Sequence, residues 1–348
     1  FLSALPESCR RLTVLDRTKE PGAGGEPLYK DVCSVLQQGG RRIRVLGGRY
    51  GLSSKDTTPA QMIAVYDNMA GEQRDHFTVG INDDVTCRSL PVGENVVTAD
   101  DRTISCKFWG LGSDGTVGAN KNSIKIIGDN TDQYVQAYFE YDTKKSGGVT
   151  KSHLRFGHTP ILSTYYVTMA DFIACHNQSY ISKYDIVNEL KEGGTFLLNC
   201  NWSDADLESH LPNRVKRLLA RRRAKFYVID ANAAAGAIGL GNRTNSVLQA
   251  AFFKLSGVLP VDEAVDYMKA AIRKTYGRKG DEVVNMNCAA VDAGLAGLRE
   301  VAVPAAWADL AGEPEEADPD SPWYVRTVMR AVNAQKGDSL PVSAFKDA

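Results

Sequence analysis

The sequence predicts an α/β protein with two doubly wound parallel-sheet units and an extended C-terminal tail. Short apolar runs alternate with stretches of helical spacing, and a polar, turn-rich segment at 83–103 separates two such series. The 348 residues, of which 43% are hydrophobic and 24% charged, suit two globular domains. We therefore expect domains at 1–95 and 96–303, followed by a linker and tail at 304–348.

The first unit has few predicted strands. Its short apolar runs, which are typical of strands, lie at 11–16, 42–48 and 76–81. The segment 59–70 predicts a helix, because its apolar residues recur at helical spacing and Pro59 suits the first turn. Between the predicted strands at 11–16 and 42–48, a Gly- and Pro-rich loop leads into another helix, which extends toward Val35.

The second unit alternates more regularly, which favours a parallel sheet with helical crossovers. Its strand-like runs lie at 104–110, 136–142, 172–176, 194–200 and 225–230. A core helix is expected within 245–260 and an amphipathic helix at 261–277. Beyond these, 312–322 is acidic and Pro-rich like a linker, and 323–337 predicts one helix.

The stretch "GLGSDG" at 110–115 is the strongest local motif. Gly110, Gly112 and Gly115 fit G-x-G-x-x-G between a predicted strand and a predicted helix, which is typical of a phosphate-binding loop. A glycine turn that binds nothing is the competing interpretation. Asp114 argues against a simple nicotinamide dinucleotide site, since its carboxylate would repel a pyrophosphate unless it pointed away.

The end of the following strand bears on the choice of nucleotide. Glu140 and Asp142 could bind ribose hydroxyls, as an NAD site requires. Lys144, Lys145 and Ser146 follow at once, and two cations with a hydroxyl suit a phosphate on the ribose. That arrangement favours NADP or coenzyme A (CoA), although a solvated loop would also explain the two lysines.

Other candidates are weaker. His153 and Arg155 could face a ligand or belong to a surface strand or turn. His176 ends a predicted strand, and doubly wound sheets bind ligands at strand ends. It could therefore bind a ligand, or it could be a structural histidine. Asn242 and Arg243 lie in a second glycine turn, which predicts an anion site or a capped helix.

The overall composition excludes several classes. A net charge of −1 argues against nucleic acid or an anionic membrane as partner. No apolar run approaches the roughly 20 residues of a membrane helix. The seven cysteines are scattered without a C-x-x-C pair, which suggests no metal or iron–sulfur site and favours a reducing compartment. The chain starts without Met, and we expect it to be a piece of a longer protein.

Several long segments resemble the pyruvate:ferredoxin/flavodoxin oxidoreductase family. They lie at 14–32, 47–56, 108–129, 141–157, 174–185, 190–200 and 239–257. The segment 334–345 is similar to the one that precedes the family's ferredoxin-like domain. The resemblance therefore runs from near the N-terminus into the tail.

The resemblance implies the fold and the reaction. The N-terminal domain resembles most of a transketolase C-terminal-like domain, and the larger domain after it is similar to a Rossmann-like, gamma-type unit. Members of the family convert pyruvate, CoA and oxidised ferredoxin or flavodoxin to acetyl-CoA, CO2 and the reduced carrier. Their thiamine diphosphate, Mg and [4Fe–4S] clusters bind outside the matching residues. We expect this chain to carry no catalytic or metal-binding residue and to be inactive alone.

By resemblance, the glycine loop and the segment after the next strand would bind CoA. The implied contact residues are Gly112, Asp114, Gly115, Thr116, Val117, Lys144, Lys145, Ser146, Asn242 and Arg243. Ferredoxin or flavodoxin and the remaining domains are the implied partners, with a homodimer of the full chain. The implied location is cytoplasmic, or a hydrogenosome in an anaerobic eukaryote.

Three alternatives stay open. The chain could be a purely structural and interface module whose glycine loops are packing turns. The full enzyme could act on a 2-oxoacid other than pyruvate. The glycine pattern with two following lysines also permits an NADP-dependent oxidoreductase.

Overall fold

The protein, as a computed structural model, is described over residues 1–142, 147–313 and 320–346. It is an α/β protein with parallel strand pairing in two sheets, which confirms the predicted fold class. It divides into two compact units. The first unit comprises Phe1–Thr98, Ser163–Tyr165 and the described part of Ala317–Ala348, and the second comprises Ala99–Leu162 and the described part of Tyr166–Glu316. The domain boundaries expected from the sequence stay a prediction.

The first unit contains a three-stranded parallel sheet of order β1-β2-β3. Its elements are β1 (Arg11–Asp16), α1 (Pro27–Gln38), β2 (Arg44–Arg49), α2 (Pro59–Ala70) and β3 (Phe77–Thr78). Each of the two helices begins with a proline, whose missing N–H costs nothing in the first turn. The predicted strand over 76–81 is shorter than expected, and the backbone is left-handed on both sides of it, at His76 (φ +53°) and Gly80 (φ +78°).

The second unit contains a seven-stranded sheet of order β10-β9-β8-β7-β4-β6-β5. The strands are β4 (Ile104–Leu111), β5 (Tyr134–Tyr141), β6 (Val149–Gly157), β7 (Ala170–Cys175), β8 (Leu190–Asn199), β9 (Lys225–Ile229) and β10 (Arg299–Val301). The helices are α3 (Thr116–Asn130), α4 (Tyr180–Lys183), α5 (Asp204–His210), α6 (Asn213–Arg221), α7 (Ala231–Ala237), α8 (Asn245–Ser256), α9 (Val261–Tyr276) and α10 (Asp281–Ala296).

The larger sheet is mixed, although the sequence suggested parallel strands throughout. Strands β4, β7, β8 and β9 are parallel, whereas β6 runs antiparallel to β4, β5 to β6, and β10 to β9. The connection from β5 to β6 covers only residues 142–148. A link of that length can join only antiparallel neighbours, because a parallel crossover needs a dozen or more residues.

Strand β6 corrects a further expectation. The segment 151–157 fitted a surface strand or turn, but β6 is buried along its whole length. Its alternate residues point to opposite faces of the sheet. Leu154 and Phe156 face the main apolar core with Phe108 of β4. On the other face lie Lys151 and His153, which the structure also buries.

The tail returns to the first unit. A π-helical turn at Val325–Met329 continues into α11 (Arg330–Asn333), so the helix expected over 323–337 forms only in part. Further along, Pro341 forms a parallel bridge with Asn82, and the Lys55 ammonium lies 2.9 Å from an Asp338 carboxylate oxygen. In the described part of the chain, no helix combines the length and apolar character needed to cross a bilayer.

Candidate functional site

A cavity of about 630 Å³ lies at the carboxyl edge of the parallel strands of the second unit. Six amide side chains line it: Asn177, Gln178, Asn199, Asn201, Asn232 and Asn242. Asp114, Asp230 and His176 also line it. Among the described residues that line this cavity there is no lysine or arginine. We call it the strand-end cavity; its lining suits a hydrogen-bonding, largely uncharged ligand group.

The strand-end cavity is polar because each central strand is followed by polar residues. His176 follows β7, Asn199 ends β8 and Asp230 follows β9. The carboxyl ends of parallel strands meet at one edge of a sheet, which is where open α/β sheets bind ligands. Apolar strands therefore form the floor, and the residues after them form the wall.

Asp114 is turned into its own loop. Its Oδ2 accepts the N–H of Leu111 at 2.8 Å, and its Oδ1 accepts the N–H of Thr116 at 2.7 Å. Thr116 is the first residue of α3, so the carboxylate stabilises the positive end of the helix dipole. The repulsion that the sequence suggested is reduced, since two N–H groups share the negative charge.

Contacts inside the protein restrict Gly112 and Gly115 of the motif. The Gly112 N–H donates to the Gly148 carbonyl at 2.7 Å, and a Cβ at position 112 would lie 3.2 Å from that oxygen. Gly115 has φ +87°, and a Cβ there would meet Asn245 Nδ2 at 2.2 Å. The spacing of these glycines thus has a structural reason that needs no ligand.

Thr116 connects the glycine loop to His176. Its hydroxyl lies 2.8 Å from His176 Nδ1, and a Cβ on Gly110 would come within 2.6 Å of that hydroxyl. Burial lowers the pKa of His176 to about 4, although the nearby Asp114 charge opposes this shift. The imidazole is therefore neutral near pH 7 and can donate from one nitrogen while it accepts at the other.

Asn199 ties the ends of three strands together. Its Nδ2 donates to the His176 carbonyl at 2.9 Å, and its Oδ1 accepts the N–H of Ala231 at 3.0 Å. Asp230 caps α7 by accepting the N–H of Ala233 at 2.8 Å. These contacts hold the cavity wall in a fixed arrangement before any ligand arrives.

The structure brings some of the predicted site residues together. Asp114 and Asn242 line the strand-end cavity, and Thr116 contacts it through His176. Gly115 lines a different cavity of about 380 Å³, whose walls come from α3, α8 and α9.

Other predicted residues lie outside these cavities. Gly112, Val117 and Arg243 are not among the described residues that line either one. Lys144, Lys145 and Ser146 lie outside the described residues.

Sequence reasoning missed most of the amide wall. Asn177, Asn199, Asn201, Asp230 and Asn232 were not singled out, although each lies within three residues of the end of an apolar strand. Of the residues that line this cavity, only His176 is predicted from its position at the end of a strand. The same signal, applied to every parallel strand, would have found them.

The family is decided by comparison with known proteins. The model of the family described as pyruvate ferredoxin/flavodoxin oxidoreductase matches residues 105–297, which is more than half of the chain. The chain belongs to this family. The resemblance found in the sequence is thereby confirmed. A second family model, described as a domain of unknown function, matches residues 311–348.

Individual relatives agree with this family. The chain is 55% identical over 346 residues to a pyruvate:ferredoxin oxidoreductase of Moorella thermoacetica. It is 51% identical over 348 residues to a pyruvate-flavodoxin oxidoreductase of Enterobacter agglomerans. Each alignment covers 99% of this chain and 30% of the relative, so the chain spans about a third of their length.

A solved structure of a family member is also similar. It is the crystal structure of a pyruvate oxidoreductase subunit from Thermotoga maritima, with 18% sequence identity and a TM-score of 0.47. The match covers 58% of this chain and 100% of that subunit.

Proposed function

We propose that this chain is part of a thiamine diphosphate-dependent, iron–sulfur 2-oxoacid oxidoreductase. The full enzyme would convert pyruvate, CoA and oxidised ferredoxin or flavodoxin to acetyl-CoA, CO2 and the reduced carrier. The observation that carries this proposal is 55% identity, across nearly the whole chain, to a protein named for that activity. Pyruvate is preferred over other 2-oxoacids because three relatives that are 50–55% identical over nearly the whole chain are named for pyruvate.

The remaining cofactors would bind to other parts of the full enzyme. The seven cysteines include no C-x-x-C pair of the kind that ligates [4Fe–4S] clusters. Thiamine diphosphate would supply the electron sink for decarboxylation. We infer a homodimer of the full chain in the cytoplasm, with a hydrogenosome as the alternative location.

Within that enzyme, this chain would bind CoA at the strand-end cavity and the glycine loop. The amide side chains offer both donors and acceptors, which match the two amides and the hydroxyl of a pantetheine arm. Preorganised amides also cost little entropy on binding. Since the cavity lining has no cation among its described residues, the CoA phosphates would need cations from outside that lining.

Lys144 and Lys145 are the cations proposed for the phosphates. The described residues that flank them connect to the glycine loop, because the Gly148 carbonyl accepts the N–H of Gly112. Two ammonium groups attract a 3′-phosphate, which CoA has and NAD lacks. The chain's own role would then be to bind and orient CoA, and not to act as acid, base or nucleophile.

Exchange of both lysines in the full enzyme tests this role. We expect Lys144→Ala/Lys145→Ala to raise the KM for CoA about tenfold or more with little change in kcat, since a charged hydrogen bond contributes about 1–3 kcal/mol. The effect should shrink with 3′-dephospho-CoA as substrate. The matched control is Arg278→Ala/Lys279→Ala, which removes two exposed cations from another turn.

An unchanged KM for CoA in the double variant would contradict the proposed CoA site. Calorimetric titration with NADPH provides a further arm, in which NADPH binding without competition by CoA would favour the NADP-dependent alternative.

A structural and interface module is the second candidate. It is favoured by the internal partners of Gly112, Asp114 and Gly115, which explain the loop without a ligand. Under this alternative, Asp114→Asn would lower the melting temperature and leave the KM for CoA unchanged. A parallel rise in KM would favour the CoA site.

A further inference from the structure

Another cavity, with a different chemistry, lies within the first unit. Its volume is about 280 Å³, and we call it the first-unit cavity. Arg49, the last residue of β2, and Thr78, the last residue of β3, both line it. It therefore lies at the carboxyl edge of a parallel sheet, the edge at which such sheets bind ligands.

The lining of the first-unit cavity is cationic. Lys19, Arg49 and Arg88 line it, and Asp83 is the one carboxylate among its described lining residues. This contrasts with the strand-end cavity, where the charged lining residues are carboxylates. Positive side chains that line one cavity attract an anion.

Asp83 is bound to its own turn and not to these cations. Its Oδ1 accepts the N–H of Thr86 at 2.8 Å, and its Oδ2 accepts the N–H of Arg88 at 3.1 Å and the Thr86 hydroxyl. These hydrogen bonds hold the pKa of Asp83 well below its usual range. No ion pair joins Asp83 to a lysine or arginine in the described residues. The carboxylate instead shapes the turn that presents Thr86 and Arg88.

Arg49 is held rigidly. Its Nε donates to Glu26 Oε1 at 2.5 Å, and its Nη1 donates to the His76 carbonyl at 3.3 Å. Glu26 is only 1% exposed, so this ion pair anchors the guanidinium to the sheet. Within the described parts of the chain, Arg49 Nη2 has no partner, and neither do the charged ends of Lys19 and Arg88.

The tail forms part of the same wall. Val342 lines the cavity, and its N–H donates to the Asn82 carbonyl at 2.9 Å. The next residue, Ser343, donates its N–H to Asp84 Oδ1 at 2.9 Å. These contacts place a segment of the domain of unknown function against the cationic lining.

We propose that the first-unit cavity binds a phosphate group, as inorganic phosphate or on a small phosphate monoester. An anchored arginine with a free donor, a lysine and a second arginine match the oxygens of a phosphate. The hydroxyl-bearing Thr78 and Thr86 add polar groups beside these cations. The volume is near the lower limit for small-molecule pockets, which leaves room for a phosphate and a small organic group.

Binding to the full-length protein tests the proposal. Inorganic phosphate and glycerol 3-phosphate would be titrated at constant ionic strength and followed by calorimetry. We expect Lys19→Gln/Arg88→Gln to raise the Kd for the preferred ligand at least tenfold, which corresponds to about 1.4 kcal/mol. Both side chains belong to exposed residues, so the fold should persist, and thermal unfolding would verify this.

Two further variants sharpen the test. Lys30→Gln removes an exposed cation from α1 that does not line the cavity, and it should leave the Kd unchanged. Val342→Glu places a carboxylate on the wall and should weaken binding about as strongly as the double variant. Tighter binding of glycerol 3-phosphate than of phosphate would identify a monoester as the ligand, and the reverse would identify the free ion.

The proposal would be overturned by an absence of phosphate binding, or by a Kd that Lys19→Gln/Arg88→Gln leaves unchanged. An equal loss in Lys30→Gln would also overturn it, because it would indicate nonspecific attraction. The result is independent of the proposed CoA site, since Lys144→Ala/Lys145→Ala should leave phosphate binding here unaltered.

Discussion

The two faces of strands β4, β5 and β6 differ in chemistry, although the same three strands form both. On one face, Phe108 and Phe156 pack against Phe252 of α8. The ring centroid of Phe252 lies 5.2 Å from that of Phe108 and 6.2 Å from that of Phe156. Leu154, fully buried, lies in the same core. This face is held by apolar burial and ring packing.

The opposite face, which we call the charged face, consists of Lys107, Glu140, Lys151, His153 and Arg155. The antiparallel register places Lys107 opposite His153, and Lys151 opposite Glu140. Lys151 Nζ lies 2.7 Å from Glu140 Oε1, and His153 Nε2 lies 3.4 Å from Glu140 Oε2. The buried Lys151 ammonium is thus paired with a carboxylate on the neighbouring strand.

Glu140 and His153 both stay deprotonated near neutral pH in this setting. Burial alone would raise the pKa of Glu140, but the hydrogen bond from His153 and the Lys151 charge lower it to about 2. Burial lowers the pKa of His153 to about 4. Its Nδ1 accepts the N–H of Val167 at 3.1 Å, so in the neutral ring Nε2 carries the proton and donates to Glu140.

Burial has different energetic consequences on the two faces. The apolar face gains free energy from each methylene removed from water. On the charged face, desolvation offsets much of the attraction between charges, so loss of one partner costs more than the pair contributes. We therefore expect the charged face to specify the register of the strands more than it adds to net stability.

The largest expected loss of stability comes from a substitution that disrupts packing on the apolar face. Phe108→Ala should lower the free energy of unfolding by about 3–5 kcal/mol, because it removes a ring and leaves a cavity. Urea unfolding followed by circular dichroism measures this loss. Tyr141→Ala, at the exposed end of β5, is the control and should change stability by less than about 0.5 kcal/mol. A similar loss in both variants would show that the Phe108 face is not a packed core.

A smaller effect is expected on the charged face. Glu140→Gln should cost about 1–3 kcal/mol, because it leaves the buried Lys151 ammonium without a charged partner. The same change at Glu192, whose carboxylate pairs with the exposed Arg223, should cost less than about 1 kcal/mol. Equal losses in the two variants, measured by urea unfolding, would contradict a special role for the buried pairs.

The pH dependence of stability should report on His153 within the same face. Its folded pKa of about 4 lies below the usual value of 6.5, so the unfolded chain binds the proton first. Stability is therefore present above pH 6.5 and is lost as the pH falls toward 4, at about 1.4 kcal/mol per pH unit for each such histidine. The pKa of His176 is lowered in the same direction, so His176 adds to the same loss of stability.

His153→Gln should remove about half of this histidine-linked slope, as measured by urea unfolding at pH 7, 6, 5 and 4.5. His158→Gln changes an exposed side chain and should leave the slope in place. If His153→Gln also leaves it in place, then His153 is not held neutral on the charged face.

Local features were predictable from the sequence where short-range rules decide them. The helix at 59–70 has the bounds that Pro59 and the apolar spacing predicted. The core helix α8 ends at Ser256, followed by Gly257 in a left-handed conformation, as the glycine suggested. By contrast, Lys151 and His153 made β6 resemble a surface segment, because alternation alone does not show which charges find buried partners.

The sequence by itself determined the fold class, the family and the position of the glycine loop between β4 and α3. These depend on periodicity, proline and glycine placement, and long matching segments. Only the tertiary structure decided that Asp114 turns into its own loop and that amides at or after the ends of three separate strands, Asn177, Asn199 and Asn232, share one cavity. Those outcomes depend on strand order and register, which bring together residues that are far apart along the chain.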